Sequence, residues 1–154
     1  MSDKPARELT FSAIFCDDIR DEVGGKVTLV GVFSTHLLTP AFPIFIPRLG
    51  VFVRSAIPRG QEGIARIRIE KNEAILLEAE FPATPDQNAE AWPTGVDSPS
   101  CTVVDAKMVL SPLQFDGPCT LRVVLTLNGK SYVAGKLHVS VLSEEAKQKL
   151  QVQN

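Results

Sequence analysis

The sequence predicts an all-β fold: an antiparallel β-sandwich of about eight strands with a short C-terminal helix. Three observations lead there. Period-two runs rich in Val, Ile, Leu and Phe recur along nearly the whole chain, which is the alternation of half-buried strands. Helix-period spacing occurs only at the C-terminal end, so no helices alternate with strands to cover a parallel sheet. Each strand also has a wet face, as in Arg66, Arg68 and Glu70 against Ile67 and Ile69, and two antiparallel sheets packed face to face satisfy that pattern. At 154 residues the chain can bury a core without staples, and residues 1–154 read as a single domain.

Residues 1–8 are expected to form a polar, flexible start. The first strand is expected over Leu9 to Phe15. The second runs from Lys26 to Phe33, with Gly24-Gly25 turning the chain before it. A third is expected from Ile44 to Arg54 with a break at Pro47. Pro40, Pro43 and Pro47 together suggest a sheet edge or a sheet-to-sheet crossing, since proline cannot donate to a central ladder.

Strands over Gly63 to Glu70 and Ala74 to Phe81 make a hairpin. A three-residue loop of Lys71, Asn72 and Glu73 would set Ile69 opposite Ile75 and Ile67 opposite Leu77, all on one apolar face. Residues 82–100 hold Pro82, Pro85, Pro93 and Pro99 with the only tryptophan, Trp92. The stretch reads as a long Pro-rich crossover loop anchored by Trp92, with a binding loop as the alternative.

Strands over Cys101 to Leu110, Cys119 to Leu127 and Ser131 to Val141 complete the set. At Asn128-Gly129 a two-residue turn would put Leu125 and Val123 on the opposite face from Val133, Leu137 and Val139. Parity therefore favours an odd-length loop with Gly129 in a bulge. Ser143 then caps a helix over 143–151, with Glu144 and Glu145 in its first turn. Leu142, Ala146 and Leu150 form its apolar stripe, expected to pack over an open end of the sandwich.

Sixteen basic and 18 acidic residues leave a formal charge of -2, which gives no broad electrostatic reason to expect nucleic acid or an anionic membrane as partner. The start shows no signal peptide, and no segment approaches the roughly 20 apolar residues of a bilayer span. Cys16, Cys101 and Cys119 are odd in number and widely spaced, and no Asn-x-Ser/Thr acceptor occurs. Reduced, mostly buried thiols in a cytoplasmic protein are expected.

Enzyme signatures are sparse. Gly129-Lys130-Ser131 imitates the end of a phosphate-binding loop. The earlier glycine would fall at Val124, however, and the segment joins two strands with no helix to present amides. No Gly-x-Gly-x-x-Gly, Gly-x-Ser-x-Gly or His-Glu-x-x-His occurs, and no cysteine pair has zinc spacing. His36 and His138 are the available imidazoles. His138 alternates with Leu137 and Val139 and is expected to point away from the core. A Cys16/His hydrolase would need either ring beside that thiol. No catalytic residue, metal or cofactor is assigned.

The segment Cys16-Asp17-Asp18-Ile19-Arg20-Asp21-Glu22 concentrates four carboxylates between two apolar runs. Asp17, Asp18, Arg20, Asp21 and Glu22 are the candidate ligand-binding residues. The run lacks the Asp-x-Asp-x-Asp-Gly spacing that wraps a calcium ion. The plainer reading is a polar connection in which Arg20 clamps a carboxylate or carbonyls of its own loop, Asp17 or Asp18 caps a turn, and Ile19 tucks inward.

With Cys16, Asp18, Arg20, Glu22, Gly25, Lys26 and Gly31 in that order, the run FCDDIRDEVGGKVTLVGVFS resembles the opening of a bacterial family known only as a domain of unknown function. Its members carry this acidic, Arg-containing segment ahead of a Lys-x-x-Leu-x-Gly-Val strand. The resemblance implies a bacterial, cytoplasmic, β-rich module and brings no activity, cofactor or partner with it. The expected function is thus a non-enzymatic interaction or accessory module with an unidentified protein partner. An edge strand near Pro40 to Pro47 leaves room for a homo-oligomer. A ligand- or cation-binding module built on the acidic segment is the alternative, and a Cys/His hydrolase the enzymatic one.

Overall fold

The computed structural model describes residues 8–84 and 101–152. Eleven strands and one helix follow in order: β1 (Thr10–Glu22), β2 (Lys26–Phe33), β3 (His36–Thr39), β4 (Ile44–Ile46), β5 (Leu49–Pro58), β6 (Gly63–Lys71), β7 (Ala74–Ala83), β8 (Cys101–Leu110), β9 (Leu113–Phe115), β10 (Cys119–Leu127), β11 (Lys130–Val141) and α1 (Glu144–Val152). A four-stranded sheet in the order β2-β1-β5-β8 faces a five-stranded sheet in the order β3-β11-β10-β6-β7. Every pairing is antiparallel except β3 with β11. The all-β, sandwich-like architecture and the C-terminal helix are as the alternation predicts.

The core is the shared inner face of the two sheets. Val51 and Val53 of β5 and Ile67, Ile69, Leu121, Val123, Leu125, Leu137 and Val139 of β6, β10 and β11 are fully buried in one cluster. Each such side chain contributes about 1.5–3 kcal/mol relative to exposure.

The strands beyond the expected eight are short. The predicted third strand divides at Pro47 into β4 and β5, and β3 and β9 are additional. β4 lies on the crossing from β3 to β5 and β9 on the crossing from β8 to β10. These two crossings pair with each other and insert Leu113 and Phe115 into the core. The Pro40 to Pro47 region is accordingly a sheet-to-sheet crossing, which leaves the edge strand β3 just before it.

Both later hairpins differ in register from expectation. Lys71 pairs with Ala74 and Leu127 with Lys130, so each loop has two residues. Their central residues Asn72, Glu73, Asn128 and Gly129 all have positive φ, the type I′ pattern that matches strand twist. The extra residue sits in the returning strand instead. Leu76 is bulged, so Ile69 pairs with Leu77 and Ile67 with Ala79, while Ile75 faces out beside Glu70. Ala134 is bulged in the same way, so Val133 lies outside opposite Val124 while Gly135, Leu137 and Val139 turn inward.

That turn brings Gly135 against β1. A Cβ there would meet the Ala13 carbonyl oxygen at 2.9 Å and its Cβ at 3.0 Å. The Phe11 and Tyr132 rings close the same corner edge-on at 4.9 Å. α1 begins where expected, with Ser143 Oγ accepting the Ala146 N–H at 3.2 Å. The Leu150 side chain lies outside the described residues, as does the expected Trp92 anchor with most of the Pro-rich 82–100 loop.

Candidate functional site

The acidic segment is strand, not loop. β1 continues through it to Glu22, and Asp18 through Glu22 pair with Val30 through Lys26 of β2. β1 pairs with β5 only as far as Cys16 opposite Gly50. From Asp18 onward the β1–β2 hairpin therefore extends past its neighbour as a two-stranded arm. The run contains enough alternating and β-branched residues, with Gly24 and Gly25 at positive φ for its turn, to prefer a hairpin over a wrapped cation loop. Val23 at the tip is 96% exposed.

The arm's charges are largely engaged by the protein itself. Arg20 Nε donates to Asp18 Oδ2 at 3.0 Å, as the self-clamp predicts. Arg48 Nη2 approaches the other oxygen of Asp18 at 3.1 Å. The hydrogen bond from Arg20, with Arg48 nearby, holds the pKa of the Asp18 carboxyl below its ordinary value. Asp21 pairs with Lys107 of β8. Asp17 and Glu22 have no ion pair among the described residues. Asp17 lies over Gly31, whose φ is +63° and whose position leaves no room for a Cβ beside that carboxylate. No three His, Cys, Asp or Glu side chains come together to hold a metal ion among the described residues, so the arrangement suits a charged surface better than a metal cage.

Several contacts draw the arm toward the face of β5 and β8. A Cβ on Gly50 would lie 2.9 Å from Ile19 Cγ1 and 3.0 Å from Cys16 Sγ. Ile19 thus tucks inward as expected and helps cover Cys16, which is fully buried with its thiol directed at the Gly50 carbonyl oxygen at 3.7 Å. Burial first, then the charges of Asp17 and Asp18, pushes the Cys16 thiol above its ordinary value. A nucleophilic cysteine needs the opposite environment. The two histidines contact Thr35, just before β3, and Thr120 on β10 rather than Cys16. The structure does not assemble the Cys/His pair, and His138 is exposed as its alternation predicts.

Sequence reasoning missed Arg48 and Lys107. Alternation puts Lys107 on a wet face, but its nearness to Asp21 depends on the order β1-β5-β8, which no local pattern encodes. Two cavities of about 190 and 180 Å³ lie elsewhere, one lined by Lys71, Phe115 and Pro118 and the other by Leu9, Gln61 and Tyr132. Both are smaller than the few hundred Å³ usual for small-molecule sites. No helix among the described residues is long and apolar enough to cross a membrane.

The model of a family described as a family of unknown function, DUF6941, covers residues 12–140, the charged arm and both sheets included. No curated protein matches the chain.

Proposed function

We propose, for a chain that belongs to the family of unknown function DUF6941, a non-enzymatic role as a cytoplasmic protein-interaction module that presents its β1–β2 arm to a protein partner. The observation that carries this reading is the arm itself: a hairpin that continues past the last β1–β5 pair, held by Arg20 within it and by Arg48 and Lys107 from outside it, with an almost wholly exposed valine at its tip. An apolar tip contributes nothing to the core, whereas on a pre-ordered hairpin it adds contact area at small entropic cost. The unpaired Asp17 and Glu22 supply a negative rim that would favour a basic patch on the partner.

The test is affinity capture from native lysate with three baits: wild type, Asp18→Ala/Arg20→Ala and Val23→Glu, each verified as folded by circular dichroism. One protein retained by wild type and lost from both variants supports the role. Identical captures from all three baits, or no specific capture by any, would overturn it. The ion pairing of Asp18 and Asp21 weighs against the ligand- or cation-binding alternative, and the buried, protonated Cys16 weighs against the hydrolase.

A further inference from the structure

We propose that His36 and His138 form a two-imidazole site for a divalent transition metal of the Cu²⁺, Ni²⁺ or Zn²⁺ class. The parallel pairing of β3 with β11 sets the two residues directly side by side. Their ring centroids are 5.4 Å apart with 39° between the planes, and both side chains are exposed. Core packing calls for neither ring, because the inner face of the seam is supplied by Leu37, Leu137 and Val139.

The decisive feature is the partner of each Nδ1. His36 Nδ1 is hydrogen-bonded to Thr35 Oγ1 at 2.8 Å, and His138 Nδ1 to Thr120 Oγ1 at 3.0 Å. Neither Nε2 has a hydrogen-bond partner among the described residues. With Nδ1–H donating to the hydroxyl, the lone pair of each imidazole resides on Nε2. Metal-binding histidines are held in this way, with the second ring nitrogen anchored by an acceptor that fixes tautomer and orientation.

Paired neutral imidazoles suit copper, nickel and zinc rather than calcium or magnesium. No third His, Cys, Asp or Glu completes the set among the described residues, so water would fill the other positions and the site would be open. A bound ion would also join the short edge strand β3 to β11, and an ion taken up only by the folded chain raises the unfolding temperature with its concentration.

The experiment titrates untagged full-length protein with Ni²⁺ by calorimetry and with Cu²⁺ by electron paramagnetic resonance. One ion per chain, a spectrum with two imidazole nitrogens, and affinity weakened at least tenfold in both His36→Ala and His138→Ala are expected. The nickel-dependent rise in unfolding temperature should vanish in both variants, which must match wild type in metal-free stability. Equal affinity in wild type and the His36→Ala/His138→Ala double variant would overturn the site. No uptake at millimolar metal by wild type would do the same.

Discussion

Glu70 departs furthest from what its residue type dictates. Alternation in β6 places it on the wet side with Arg66 and Arg68, yet it is only 4% exposed. Arg122 covers it from β10, with Nε at 3.0 Å and Nη2 at 2.7 Å from the same carboxylate oxygen, while Arg68 stands 3.5 Å from the other. Breaking a buried pair leaves an uncompensated charge, a loss of about 3–5 kcal/mol in full burial. The Arg122 side chain is 38% exposed, so water can enter when it is removed, and Arg122→Met should cost about 1–3 kcal/mol. Adding Glu70→Gln to that variant removes the stranded charge and should restore part of the loss. Urea unfolding at neutral pH measures both. If Arg122→Met stays within a few tenths of a kcal/mol of wild type, the carboxylate is solvated and the argument fails. The partner of Glu70 was not legible because it lies 52 positions away on another strand, whereas the Arg20 clamp was legible because Asp18 is two positions away and faces the same side.

At the scale of elements, parity demanded a one-residue slip between β10 and β11, but an odd-length loop with Gly129 in a bulge is not where it falls. Asn128-Gly129 has the composition of a two-residue turn, and that local chemistry wins. The slip moves up the strand to Ala134, next to a glycine that needs to face inward. A bulge there also strengthens twist and bends β11 toward β1. In β6 and β7 the same device shifts the pairing by two residues and leaves Ile75 54% exposed, where a three-residue loop would have buried it. Gly135 is the element-scale consequence most open to test. Its missing Cβ lets the Ala13 backbone approach, and a backbone carbonyl cannot rotate away as a flexible side chain can. Gly135→Ala should cost about 1–3 kcal/mol, as overpacking does, and Gly135→Val more. Ala134→Gly, which keeps the bulge count, should cost less than either. A Gly135→Val protein with a wild-type urea midpoint would show that the two sheets separate easily at this corner.

For the whole molecule, the sandwich was legible because eight strands each announce an apolar face, and burying those faces together has few solutions. Strand order was not, since the pairings β1–β5 and β5–β8 join segments far apart in sequence whose faces would fit several neighbours equally well. That order decides which charges meet, and the meetings set how stability depends on pH. Asp18 and Asp105 are both held below their ordinary value of 3.8, chiefly by hydrogen bonds from Arg20 and Arg54 respectively. Cys16 and Cys119 are held above 9.0, chiefly by burial. As pH falls below about 4 the unfolded chain binds protons that the folded carboxylates refuse, so stability present above that pH is lost through the folded values. As pH rises above about 9 the unfolded thiols ionise while the buried ones resist, so stability is lost there as well. The urea midpoint should therefore form a plateau between these limits and fall on both sides. Asp105→Asn should make the acid limb shallower and leave the alkaline limb unchanged, and Cys119→Ala should do the reverse. A midpoint that held steady down to about pH 2, or that held steady above about pH 9, would mean that the corresponding groups titrate alike in the folded and unfolded chain.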